Sequence, residues 1–159
     1  MKRYIVLGLF TVAAMLLSLS ELRAADKQTA SEDLAVRSTV DSIAPAWNTQ
    51  NLDGLMALWS QEGDLVIPKG NWAKNRDEVR QLFKSFQQSR YKDSVIEQSS
   101  SSIRFVSPDV ALVDLTATVA GPREENSRYS NPQQFHVFLV MVRENEKDWK
   151  IAAARFSGI

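Results

Sequence analysis

The chain has 159 residues, of which 19 are basic and 19 acidic, so its net charge is zero and it lacks the basic excess of nucleic-acid-binding proteins. It has no cysteine and one histidine, which excludes disulfides, thiolate metal sites and metal sites built from several histidines. Hydrophobic residues make up 44% and charged residues 24%, as in an ordinary globular domain, and we expect no metal, no cofactor and no nucleic-acid partner.

The first 24 residues have the order of a secretory signal peptide. A cationic start with Lys2 and Arg3 precedes 16 apolar or small residues over 5–20, and small Ala24 follows. This run is shorter than the roughly 20 residues of a membrane-spanning helix, so we expect cleavage before Ala25 rather than an uncleaved anchor. The prediction is a secreted or periplasmic protein with no membrane contact after cleavage. Intact mass of the protein from its host checks it, and a full-length chain in the membrane fraction would contradict it.

Residues 25–33 are polar and are predicted to be a loose segment, and residues 34–159 are predicted to form one domain. Apolar residues in that domain first recur with the period of a helix. Pro45 lacks an N–H donor, so it is expected to kink the first helix or to begin a new one. Asn75 and Glu78 have the spacing of a cap for the third helix. The apolar positions of the three predicted helices are Val36, Val40, Ile43, Ala44 and Trp47; Leu52, Leu55, Met56 and Trp59; and Val79, Leu82, Phe83 and Phe86.

Strand patterns dominate the rest of the chain. Four serines at 99–102 predict a bulge or an exposed edge in one of the strands. Helices followed by a run of long strands are typical of an α+β fold with an antiparallel sheet. The predicted strands are a short one over 64–67, ended by Pro68, and long ones over 95–106, 110–120, 133–143 and 149–157.

The strand over 133–143 is apolar on both of its sides. Val137 and Leu139 alternate with Phe138 and Val140. The helices can cover one face of the sheet, and a partner subunit is the simplest cover for the other. We therefore expect a homodimer, and we expect arginine at Val137 or Leu139, whichever faces the partner, to give monomer or aggregate.

Several short segments carry a resemblance to a known family. They are WNTQNLD at 47–53, LWS at 58–60, DLV at 64–66, the capped helix at 77–86 and WKIAAA at 149–154. With the order of the elements, they resemble the NTF2-like superfamily, especially its SnoaL-like and SgcJ/EcaC-type bacterial branch. The resemblance implies an NTF2-like cone, in which three N-terminal helices pack on a strongly bent antiparallel β-sheet around a pocket, usually in a dimer.

The superfamily includes ketosteroid isomerases, whose chemistry needs a carboxylate base and neutral acid donors in an apolar pocket. By the order of elements, the base position falls at about Ile67, and the two donor positions fall near Ile43 and Val140. All three side chains are aliphatic. The resemblance therefore extends to the fold and does not extend to that active site.

Two residues are candidates for catalysis. His136 is the only imidazole, and the resemblance puts it on the pocket side of its strand, where it is either a general base or a hydrogen-bonded core histidine. Asp64 opens a strand and is either a base or a capping residue at the rim. A dyad of His136 with Asp64 or Asp114 requires the fold to bring distant residues together.

The leading hypothesis is a protein that binds a small, largely apolar molecule in the cone. The alternative is a cofactor-independent SnoaL-like enzyme, an isomerase, cyclase or lyase, that uses His136 with a carboxylate. A third hypothesis is a dimerisation module with a filled cone. Trp72, in a loop near Gly70, is expected to be a flexible wall or lid. The predicted ligand-binding residues are Trp47, Trp59, Ile67, Trp72, Phe83, His136 and Phe138.

Overall fold

The computed structural model describes residues 28–89, 91–121, 132–145 and 148–159. Ala35–Ile159 form one compact unit. The predicted signal peptide, 1–24, lies outside the described residues and stays a prediction. Residues 28–33, predicted to be loose, are helical. Neither glycine nor proline interrupts this stretch, so the helix can extend through it.

In the part of the chain that the structure describes, four helices precede the long strands. Helix α1 covers residues 28–41, and the others are α2 (Ile43–Asn48), α3 (Leu52–Ala57) and α4 (Arg76–Gln87). The first predicted helix is interrupted at Ser42, and Pro45 lies in the first turn of α2. A missing N–H is harmless there, because the first N–H groups of a helix have no intrahelical partner. Of the two outcomes expected for Pro45, a new helix is the one found.

Side-chain caps begin the two helices that follow. The Asn51 side chain accepts a hydrogen bond from the Gly54 N–H at 2.8 Å and starts α3. The Asn75 side chain accepts from the Glu78 N–H at 3.0 Å, and the Glu78 carboxylate accepts from the Lys74 N–H at 2.9 Å. The cap predicted for the third helix is thereby confirmed.

One six-stranded sheet follows the order β2-β1-β6-β5-β4-β3. Its strands are β1 (Trp59–Val66), β2 (Trp72–Ala73), β3 (Val95–Ser107), β4 (Val110–Ala120), β5 (Gln133–Asn145) and β6 (Asp148–Gly158). Strands β3 to β6 form an antiparallel meander, as predicted. However, β1 and β6 are parallel, so the sheet is mixed. The meander brings its last strand back beside β1 in the direction that β1 already has.

Strand β1 begins earlier than predicted. Trp59, expected to end a helix, is its first residue, and Gly63 lies inside it. A Cβ atom at Gly63 would lie 2.6 Å from the Ile151 carbonyl oxygen, so the neighbouring strand requires glycine here. Local pattern does not report this close approach, which is a contact between distant parts of the chain.

The sheet has an inner face in the core and an outer face. The bulge predicted at the serines is confirmed by a register shift between Ser99 and Ser101 in β3, and in a second shift Ala152 of β6 is the extra residue opposite Val140 and Met141. Such bulges increase the bend of a sheet. The buried residues of the inner face include Ala111, Val113, Leu115 and Ala117 of β4 and Val137, Leu139 and Met141 of β5, which form one core with Val36, Val40 and Val79 of the helices.

Candidate functional site

A cavity of about 500 Å³ lies between the helices and the inner face of the sheet. Cavities of this size accommodate a small organic molecule. Its wall is mostly aliphatic and aromatic. The helices contribute Ile43, Trp47, Leu55, Phe83 and Phe86, and the sheet and its adjoining residues contribute Ile67, Ile96, Val119, Phe135 and Phe156.

The floor of the cavity is an aromatic cluster held by the protein itself. The Phe83 ring packs edge-on against Trp47 and Trp59, with centroids 5.8 and 6.2 Å apart. The Trp47 indole N–H donates to both the carbonyl and the hydroxyl oxygen of Ser94, each at 3.2 Å. Trp47 therefore lines the cavity while its indole N–H is already satisfied within the protein.

The mouth of the cavity is exposed, and three of its six lining residues, Lys69, Gln133 and Gln134, have polar side chains. Its lining residues there are Lys69, Pro132, Gln133, Gln134, Gly158 and Ile159. The Ile159 N–H donates to the Gln134 carbonyl at 3.2 Å. The Tyr91 hydroxyl lies 3.5 Å from the Gln133 side-chain oxygen. Polarity thus increases from floor to mouth.

Three of the predicted ligand-binding residues line this cavity: Trp47, Ile67 and Phe83. Trp59 packs behind Phe83 and is buried. His136 and Phe138 lie on the outer face, so the expectation that they face the pocket is wrong. Strand β5 is apolar on both sides, and its pattern alone does not say which side the helices enclose.

His136 forms a pair with a carboxylate on the outer face. Its Nε2 atom lies 3.3 Å from Oδ1 of Asp114, and both side chains are 49% exposed. The fold therefore brings His136 to Asp114, one of the two partners considered for a dyad. Neither residue is among those that line the cavity.

Asp64, the other catalytic candidate, is fully engaged with neighbours on the outer face. Arg155 binds its carboxylate with two nitrogens, at 3.0 and 2.8 Å, and the Trp72 indole N–H donates to it at 2.9 Å. Trp72 is 57% exposed, with the Lys74 ammonium 5.3 Å from its ring centroid. Trp72 is not among the lining residues, and Asp64 serves as a structural anion rather than an unoccupied base.

Several lining residues were not predicted from the sequence. Phe135 and Phe156 pack edge to face at 6.3 Å on the inner side of β5 and β6. Phe135 lies two residues before Val137 and therefore on the same side of the strand as this buried residue, which was the available signal for Phe135. Lys69 gave no periodic signal, because it lies in a turn.

The described wall carries little acid–base chemistry. Lys69 and Tyr91 have its titratable side chains, and no side-chain carboxylate or imidazole is among the lining residues that the structure describes. Across the described ranges, no cluster of three or more residues suited to hold a metal ion is found. None of the described helices is long and apolar enough to cross a membrane. The site can enclose an apolar molecule, and its described wall offers no general base.

Comparisons with known proteins agree with this architecture. A family model described as a SnoaL-like domain matches residues 36–159. No curated protein matches the chain. An NTF2-like protein with a cystatin-like fold from Novosphingobium aromaticivorans is 13% identical with a TM-score of 0.71, covering 86% of this chain and 87% of its own.

Two further solved structures are similar. A protein of cystatin-like fold from Caulobacter vibrioides is 20% identical, with a TM-score of 0.68 over 79% of this chain and 87% of its own. A ketosteroid isomerase-like protein from Erwinia carotovora atroseptica is 17% identical, with a TM-score of 0.65 over 79% and 95%. At such identities the likeness shows the fold alone, and it confirms the predicted NTF2-like α+β fold.

Proposed function

We propose, from the premise that this chain belongs to the SnoaL-like domain family, that its cavity binds a small, largely apolar molecule and catalyses no reaction on it. The observation that carries this proposal is a cavity of about 500 Å³ whose described wall is mostly apolar and aromatic and has no side-chain carboxylate and no imidazole. Burial of an apolar body against such a wall supplies the affinity.

The enzyme hypothesis has less support from the described residues. The isomerase-type base and donor positions, Ile67 and Ile43, line the cavity as aliphatic side chains, and Val140 lies on the outer face. The pair formed by His136 and Asp114 lies outside the cavity, so it cannot remove a proton from a molecule held there. The hypothesis of a filled cone is disfavoured by the cavity volume.

We also propose that the protein is an exported homodimer whose subunits meet through the outer face. Phe138, Val140 and Val142 of β5 and Leu112 of β4 are half-buried on this face, which the helices do not cover. A second copy would remove these side chains from water, and a stable interface needs roughly 800 Å² from each subunit. Export rests on the N-terminal sequence.

A cavity-filling substitution tests the binding proposal. The neutral fluorescent probe N-phenyl-1-naphthylamine should bind the wild type saturably. Val119→Trp fills part of the cavity and should weaken binding by about tenfold, which corresponds to about 1.4 kcal/mol. Thr118→Trp, one residue away on the opposite side of β4, is the matched control and should bind as the wild type does. Equal binding by all three proteins would overturn the proposal.

A further inference from the structure

We infer that the cavity takes an apolar monocarboxylate, with its apolar body on the aromatic floor and its carboxylate beside Lys69 at the mouth. This inference rests on the proposed function and adds the chemical class of the ligand. It is carried by three features of the described residues: the polarity gradient along the cavity, the unpaired charge of Lys69 and the backbone conformation that presents it.

The polarity gradient suits a molecule with one polar end. The floor is formed by buried Trp47, Leu55 and Phe83, and the indole N–H there is already bound within the protein. A polar group on the floor would lose its hydration without gaining a partner, which is unfavourable. At the mouth the lining residues are exposed, so a polar end there keeps part of its water.

Among the described lining residues, Lys69 is the one with a charged side chain, and it is exposed. Several other described cations are engaged: Arg155 with Asp64, Arg80 with Asp53, and Lys150 with Asp148 at 2.8 Å. By contrast, no described carboxylate lies within ion-pair distance of the Lys69 ammonium. The described mouth therefore presents a positive charge that a ligand carboxylate can neutralise.

The backbone holds Lys69 in a conformation that lysine seldom adopts. The Gly70 N–H donates to the Ile67 carbonyl at 3.1 Å, which closes a turn with Pro68 and Lys69 at its two central positions. Lys69 has a φ of 77°, as the third residue of a type II turn requires. Glycine or asparagine is favoured there, because a larger side chain strains the left-handed backbone. A lysine kept in a strained position at a cavity mouth points to a role in binding.

The test compares two ligands that differ only at the polar end. Decanoate and 1-decanol are used to displace N-phenyl-1-naphthylamine from the wild type. Decanoate should bind about fivefold more tightly, the upper range for a partly exposed ion pair. Its advantage should shrink when the ionic strength is raised from about 0.01 to 0.15 M, because salt screens an exposed charge pair.

Three variants identify the residue responsible. Lys69→Gln removes the charge, and Lys69→Gly removes the charge while relieving the turn, so at least the second folds without difficulty. Both should bind decanoate no better than decanol. Lys74→Gln is the matched control, because Lys74 lies over Trp72 outside the cavity and carries the same charge. It should keep the preference for decanoate.

The outcomes separate this inference from the proposed function. If decanol and decanoate displace the probe equally from the wild type, or if the preference survives in Lys69→Gln and Lys69→Gly, the inference is wrong and the binding proposal stands. If the probe does not bind the wild type and neither ligand binds by calorimetry, both are overturned.

Discussion

The two faces of the sheet differ in both cover and chemistry. The inner face meets the helices, and its lining of the cavity is aliphatic and aromatic. The outer face carries the pair of His136 with Asp114 and the cluster of Asp64, Arg155 and Trp72. On β5 and β6 a single residue step separates a charged or titratable side chain from the enclosed volume. His136 and Arg155, next in sequence to the lining residues Phe135 and Phe156, are thus placed on the face away from the ligand.

One row of residues shows how continuous the outer face is. Strand register aligns one residue from each of the six strands on this side of the sheet. The row contains aromatic, charged, aliphatic and hydroxyl side chains. In spatial order from β2 to β3, it consists of Trp72, Val66, Arg155, Phe138, Asp114 and Ser102.

The strongest test of this comparison places arginine on either side of β5. Leu139 is 2% exposed in the core, so Leu139→Arg buries an unpaired charge and should cost more than about 4 kcal/mol of folding free energy. Val140→Arg puts the same charge on the half-buried outer face and should fold. Circular dichroism melts should show an unfolded Leu139→Arg protein and a native Val140→Arg protein.

The structure also corrects the expectation about which residues of β5 face a partner. Val137 and Leu139 were expected to face a partner if their side of β5 was the uncovered one, but both are buried in the core. An interface through the outer face would instead be broken by Val140→Arg. Light scattering should find a wild-type dimer and a Val140→Arg monomer at tens of micromolar, a rough working range. A Val140→Arg protein that is still dimeric would place the interface elsewhere.

A smaller effect is expected from replacing Asp64, the anion of the outer-face cluster with Arg155 and Trp72. Asp64→Ala leaves Arg155 and the Trp72 indole without their acceptor and should cost about 1–2 kcal/mol, since the carboxylate is only 17% exposed. The control is Asp53→Ala, which breaks the 2.7 Å contact with Arg80 at a carboxylate that is 88% exposed. That change should cost less than about 0.5 kcal/mol. Urea unfolding of both variants measures the difference, and equal losses would contradict it.

The smallest effect is expected at His136. His136→Phe removes the contact with Asp114, but water can reach both positions, so stability should change by less than about 1 kcal/mol. Binding of the neutral probe in the cavity should be unchanged. A loss above about 2 kcal/mol in a thermal melt would restore the interpretation of His136 as a core residue. Weaker probe binding would indicate that His136 contacts the molecule bound in the pocket.

Most elements could be predicted from the sequence because their signals are local. The period of α4 and its Asn75 cap, and the alternation along β4, depend on residues within a few positions of one another. Trp59 was misplaced because the helical spacing of the apolar residues before it continues for one step into β1. Its strand conformation is decided by pairing with Ile151, far along the chain.

The candidate site was harder to predict, for a physical reason. Trp47 and Phe83 were found because aromatic residues on a core-facing helix surface are also available to line a cavity. His136 and Phe138 were misassigned because alternation separates two faces without saying which one is enclosed. Lys69 was missed because its position depends on a turn with positive φ, which sequence patterns associate with glycine.

Strand β6 lies between β1 and β5 although it is the last strand along the chain. During synthesis, β1 and α4 leave the ribosome long before Trp149 and Ile151, which supply part of the core and the strand that β1 pairs with. In a nascent chain without β6, the edge of β1 that pairs with β6 has no partner strand. The native sheet therefore closes only when synthesis has passed β6, and its dependence on contacts distant in sequence favours slow folding.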